Sequence, residues 1–87
     1  MAAWPVEFER ILRARCAHLD SASEIPAHVP LSVLGVDSLG MLMFILQVEE
    51  TFGITLPEAV LAGDELDTSG SAWAAVERLL LASGLGT

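Results

Sequence analysis

Apolar residues return every three or four positions in three stretches of the chain, and prolines and glycines interrupt the rhythm between them. Phe8, Ile11, Leu12, Cys16 and Leu19 keep helical spacing, and Pro5 suits a first turn, so a first helix is predicted over about Val6 to Leu19. The connection from Asp20 to Asp37 carries Pro26 and Pro30, each of which disfavours helix at the residue before it. A connection this long in a small domain needs its own anchors, and Ile25, Val29, Leu31, Leu34 and Val36 are the candidates. A second helix is predicted from about Ser38 to Phe52, with Gly53 as the left-handed residue that ends it and Ile54 packing back. Asp64 to Thr68 reads as a short turn of helix. The last helix is expected from about Ser71 to Ala82, turning Ala72, Trp73, Val76, Leu79 and Leu80 to the core, with Gly84 past its end and Ser83 to Thr87 as a loose tail. No stretch sustains the period-two alternation of a strand. The expected fold class is all-α: a four-helix bundle with a long loop between helices 1 and 2 and a short third helix, one domain over residues 1–87.

The second helix has more apolar residues than one buried face can use. Met41, Phe44, Ile45, Val48 and Phe52 follow the i, i+3, i+4, i+7, i+11 pattern and form the core stripe. Burying a side chain such as Phe44 stabilises by roughly 1.5–3 kcal/mol. Leu39, Leu42, Met43 and Leu46 point elsewhere, beside Gln47, Glu49 and Glu50. Either the long loop covers Leu42 and Leu46, or these residues form an exposed apolar patch rimmed by carboxylates, which is the character of a docking surface.

Composition narrows the classes of function. Eighty-seven residues support one core, and 53 % of them are hydrophobic, which suffices without staples. The single cysteine, Cys16, cannot form an internal disulfide and suits a reducing compartment. No secretory signal is legible, since Pro5, Glu7 and Glu9 precede any apolar stretch, and Leu39 to Leu46 is far short of the roughly 20 residues of a spanning helix. A soluble cytoplasmic monomer with no membrane contact is expected. Four arginines against twelve carboxylates give a formal charge of −8, which repels a phosphate backbone and argues against nucleic-acid binding. The same field either favours partners with basic patches or only maintains solubility.

Ser38 stands where the second helix begins. Serine or aspartate at such a place caps open N–H groups, and Asp37 complements the positive helix end. A catalytic serine would need a base and an oxyanion site in a cleft. His18 and His28 are available bases, but neither falls in a triad or elbow pattern. A third role is attachment, because a phosphodiester on that hydroxyl would sit at a helix N-terminus, which favours anions.

The segment "LGVDSLG", Leu34 to Gly40, followed by "VEETFGITLP", Val48 to Pro57, resembles the acyl carrier and peptidyl carrier protein family. The likeness extends from the first helix through "SAWAAVERLLL" of the last, and Leu31, Leu34 and Gly35 fall at family spacing before the Asp-Ser-Leu. The resemblance implies that Ser38, flanked by Asp37 and Leu39, is modified with 4′-phosphopantetheine donated from coenzyme A by a phosphopantetheinyl transferase. It implies further that the arm's thiol holds a cargo as a thioester, and that the protein is not itself an enzyme. Tethering of this kind presents a substrate to several enzymes at high effective concentration. The implied partners are that transferase, a cargo-loading ligase or acyltransferase, and downstream synthase or transferase enzymes, docking on Leu39, Leu42, Met43, Leu46, Glu49 and Glu50. An attachment point and a docking face must adjoin, which accounts for a serine at the head of the apolar run.

Two residues depart from the family's pattern. Met43 stands where an acid is common, and Gly40 replaces a polar residue at a cost of about 1 kcal/mol of helix stability relative to alanine. Docking is therefore expected to lean on the apolar residues more than on charge. The segment "LPEAVLAGDELDTSGSAW" is more similar to free-standing carriers of bacterial polyketide or non-ribosomal peptide pathways. The alternative is an unmodified interaction adaptor that uses the same helix face. Of the remaining residues, Cys16 reads as a buried small hydrophobe, His18 and His28 as surface residues, and Trp4 as packing across the bundle. No metal site is expected, because the acids at 64, 65 and 67 lack the ligand spacing and glycine of a calcium loop.

Overall fold

Pro5, extended at φ −66° and ψ 162°, opens a helix that the computed structural model carries from Val6 to Arg15 (α1). The structure describes residues 4–20 and 22–82, and the expected tail and Gly84 lie outside them. Three more helices follow: Ser38–Phe52 (α2), Glu58–Ala62 (α3) and Ser69–Ala82 (α4). Among the described residues there is no strand, only an isolated antiparallel bridge between Pro30 and Thr68. The protein is all-helical, as its periodicity predicts.

Three boundaries differ from the sequence expectation, each for a local reason. α1 ends at Arg15 rather than near Leu19, because the chain turns at Cys16 (φ −87°, ψ 82°). The His18 N–H then donates to Leu34 O at 2.9 Å instead of continuing the helix. The short helix lies at Glu58–Ala62, whereas Asp64 to Thr68 forms turns. Pro57 supplies an extended residue before α3, its carbonyl accepts from Val60 and Leu61, Glu58 complements the helix start, and Val60 is buried. α4 starts two residues early because Thr68 caps it. Thr68 Oγ1 accepts from the Ser71 N–H at 3.1 Å, and the Thr68 N–H points back to Ser71 Oγ at 3.3 Å.

Phe8 is the centre of the core. Fully buried on α1, its ring meets Trp4, Phe44, Phe52 and Trp73 at centroid distances of 5.9, 5.8, 6.4 and 5.2 Å. The edge-on and tilted angles are those that aromatic quadrupoles favour, worth about 0.5–1.5 kcal/mol per pair beyond burial. α2 contributes Phe44 and Val48 fully, with Met41, Ile45 and Phe52 packed against the cluster. Glu9 fastens the entry to α1, accepting from Trp4 Nε1 at 2.7 Å and from Arg13 Nε at 2.9 Å. Arg13 also donates to Ser23 O at 2.7 Å, which draws the start of the long loop against the helix.

The long loop is held by its anchors and by backbone bonds. Ile25, Leu31, Leu34 and Val36 are buried, and Val29 is partly so. The Leu31 N–H donates to Asp67 O at 2.7 Å, and the Gly70 N–H donates to Ala27 O at 3.0 Å. The second contact needs glycine, since a Cβ on Gly70 would stand 2.9 Å from the Ala27 carbonyl oxygen. The loop preceding α2 is thereby tied to the start of α4.

Phe8→Ala should cost about 3–5 kcal/mol, read as a lower urea midpoint by tryptophan fluorescence. Burial pushes the Cys16 thiol above its ordinary pKa, against the smaller downward pull of Arg13. A raised folded-state pKa contributes stability that is present below the unfolded value and is lost as pH rises through the folded one. Wild-type stability should therefore fall, relative to Cys16→Ala, as pH rises above the ordinary thiol range. Parallel denaturation curves across that range measure the difference.

Candidate functional site

Asp37 is the N-cap of α2. Its backbone is extended (φ −90°, ψ −172°), and its carboxylate accepts from the Gly40 N–H at 2.7 Å. Its carbonyl also takes the first helical bond, from the Met41 N–H at 2.8 Å. Ser38 is thus the first helical residue and not the cap. Its side chain is exposed, and its hydroxyl makes no hydrogen bond to any described residue. Helix geometry leaves the N–H groups of Ser38 and Leu39 without intrahelical acceptors, at the positive end of the α2 dipole.

The approach to this point is short and anchored. Residues 30–35 form successive turns, with Val33, Leu34 and Gly35 donating to Pro30 O, Leu31 O and Ser32 O. Val36 donates to Leu31 O at 3.0 Å. Leu34 and Val36 are buried on either side of Gly35, so the chain reaches Asp37 along a fixed path.

Beyond Ser38, the outer side of α2 is apolar. Leu39 is 68 % exposed, Leu42 52 %, Met43 39 % and Leu46 51 %. The long loop leaves Leu42 and Leu46 half uncovered while it fills the bundle elsewhere. Residues 39, 42, 43 and 46 recur at helical spacing, forming one stripe that runs from the serine towards Glu50, which is exposed. Glu49 differs from its neighbour. Half-buried, it accepts from the Leu56 N–H through Oε2 at 2.8 Å, while its carbonyl takes the Gly53 and Ile54 N–H groups. Its carboxylate fastens the chain after α2 back onto the helix. The seven-residue separation of Glu49 and Leu56 gave no sequence signal for this, because Gly53, left-handed at φ 65°, reverses the chain between them.

The other candidate residues stand apart from this place. His18 and His28 are both exposed, and no hydrogen bond joins either to Ser38 among the described residues. Cys16 is buried. Among the described residues no cluster of three His, Cys, Asp or Glu side chains could hold a metal, and no helix is long and apolar enough to cross a membrane. An open groove of about 360 Å³ between Gly53, Ile54, Thr55, Leu79 and Ala82 lies at the far end of α2. It has no titratable lining and is roughly 22 Å from Ser38 along the helix.

These features fit a serine-linked phosphodiester chemically. Such a group needs an exposed hydroxyl, room in solvent and a positive local field, and the open end of α2 supplies all three. Asp37 places a negative charge nearby, but that charge is directed onto the Gly40 N–H. No curated protein matches the chain. Residues 9–68, more than two-thirds of the 87, match the family described as a phosphopantetheine attachment site. The chain belongs to this family, and it is a carrier protein on which 4′-phosphopantetheine is covalently held.

Proposed function

We propose that Ser38 is the residue that bears the arm, and that the chain carries an acyl or aminoacyl cargo between enzymes without catalysing a reaction of its own. The observation that carries this is the division of labour at the head of α2. Asp37 makes the capping bond, so the exposed Ser38 hydroxyl is left with no structural role. In the transfer, Ser38 Oγ forms a P–O bond to the pantetheine-side phosphorus of coenzyme A, and the pyrophosphate bond breaks. Adenosine 3′,5′-bisphosphate leaves with the electron pair, and the hydroxyl proton passes to the transferase or the solvent. Once bound, the arm supplies a thiol that holds cargo as a thioester. The chain's own residues then have two tasks, to keep the attachment point in solvent and to present the stripe beside it.

The stripe of Leu39, Leu42, Met43 and Leu46 is the surface that partners read, with Glu50 at its rim and Glu49 contributing chiefly through its bond to Leu56. Those partners are a phosphopantetheinyl transferase, a loading ligase or acyltransferase, and a downstream synthase or transferase. The likeness of the "LPEAVLAGDELDTSGSAW" segment to natural-product carriers supports a place in bacterial polyketide or non-ribosomal peptide biosynthesis.

Incubation with coenzyme A and a broad-specificity transferase should add one phosphopantetheine mass to the wild-type chain and none to Ser38→Ala, whose circular dichroism should match wild type. An unmodified wild type contradicts the reading, as does a Ser38→Ala that still accepts the arm. An adaptor that works without the arm would bind its partners equally well as Ser38→Ala. For the stripe, Leu42→Asp and Met43→Asp should each lower transferase kcat/KM by about tenfold or more with helical content unchanged. Unfolding of either variant would show that these side chains serve the core instead.

A further inference from the structure

Gly35 lies three residues before Ser38, and its surroundings give it a part in the transfer that its lack of a side chain conceals. Its φ is +99°, a conformation that residues with a Cβ rarely adopt. The space is closed as well: a Cβ there would stand 2.7 Å from His18 N, 3.0 Å from Ala17 N and 3.0 Å from His18 Cγ. Two of those three atoms are backbone, and His18 N is engaged, donating to Leu34 O at 2.9 Å. This part of α1's exit cannot give way without breaking that bond. Leu34 and Val36, on either side, are both buried. A displacement at position 35 therefore shifts Val36 in its core seat, and Asp37 and Ser38 move with it.

We infer that Gly35 is a positioning residue for the modification: by seating residues 34–36 directly on the Ala17–His18 backbone, it sets where the Asp37 cap and the Ser38 hydroxyl stand relative to the docking stripe. This rests on Ser38 being the attachment point. A transferase docked on the stripe would find the hydroxyl at a fixed offset, and a misplacement near 1 Å can cost on the order of 10²-fold in a group transfer. Gly53 provides an internal contrast. It too has a positive φ, +65°, but a Cβ there meets nothing within 4 Å, and it lies at the other end of α2. Alanine at Gly53 strains the backbone without moving the serine.

The test compares steady-state transfer from coenzyme A, followed by intact-protein mass, for wild type, Gly35→Ala and Gly53→Ala at a temperature where circular dichroism shows all three folded. Gly35→Ala should lose at least about tenfold in kcat with KM within about twofold, because the stripe is unchanged. Gly53→Ala should melt earlier yet keep wild-type kcat. A chain with D-alanine at position 35, made by peptide ligation, accepts the positive φ and does not put its methyl where an L-Cβ would meet the Ala17–His18 backbone. It should be modified within about twofold of wild type, and it serves as the readout if Gly35→Ala does not fold. Wild-type kcat in a folded Gly35→Ala overturns the inference, as does a loss confined to KM, an equal loss in Gly53→Ala, or a D-alanine protein slowed below wild type by more than about tenfold. Transfer to a residue other than Ser38 in the wild type would be a separate result, removing the attachment assignment itself and this inference with it.

Discussion

One hydrogen bond, 2.7 Å from the Gly40 N–H to the Asp37 carboxylate, decides what the serine beside it is able to do. A helix start leaves open N–H groups, and a neighbouring Asp and Ser are equally suited to answer one of them. Had the serine taken the role, its hydroxyl would be turned into the helix end and held there. With the aspartate as cap, the serine becomes the first helical residue, and its hydroxyl faces solvent beside a positive helix end. Gly40 contributes to the arrangement: a Cβ at that position would lie only 3.1 Å from Asp37 Oδ1. The residue that weakens the helix by composition leaves room for the bond that starts it.

The rest of the molecule keeps that helix end in place. Phe8 of α1 gathers aromatic rings from α2 and α4 and from Trp4 into one cluster, which fixes α2 along its inner stripe. The long loop is bound to the start of α4 through Leu31 and Asp67, and through Gly70 and Ala27. It is bound to the end of α1 through His18 and Leu34. None of these contacts uses the outer stripe of α2, which is left to solvent. The net charge of −8 is not concentrated on that stripe, since α2 has acids only at Glu49 and Glu50, and Glu49 is engaged with Leu56. What this face offers to solvent is apolar surface more than charge.

Much of this was legible in the sequence where one periodicity ruled. α2 lies at Ser38–Phe52, as the spacing of Met41, Phe44, Ile45, Val48 and Phe52 predicts, and Gly53 ends it in the left-handed conformation. Its excess of leucines pointed to the uncovered stripe. The less legible parts were decided by tertiary contacts. α1 stops at Arg15 although Cys16 and Leu19 keep helical spacing, because His18 pairs with Leu34 sixteen residues away. α3 is a five-residue helix, too short for periodicity to reveal, and the proline before its first residue was its only strong mark. At the candidate site, sequence placed both Asp37 and Ser38 at the helix start but left open which one caps it, since that depends on backbone angles. Glu49 looked like a surface acid because its partner, Leu56, is brought to it only by the turn at Gly53.

The assignment of capping to Asp37 and of availability to Ser38 is tested most directly by amide hydrogen exchange at Gly40 in the wild type, Ser38→Ala and Asp37→Ala. The account predicts that Gly40 is as protected in Ser38→Ala as in the wild type and loses its protection in Asp37→Ala. Loss of protection in Ser38→Ala, with protection retained in Asp37→Ala, would contradict it.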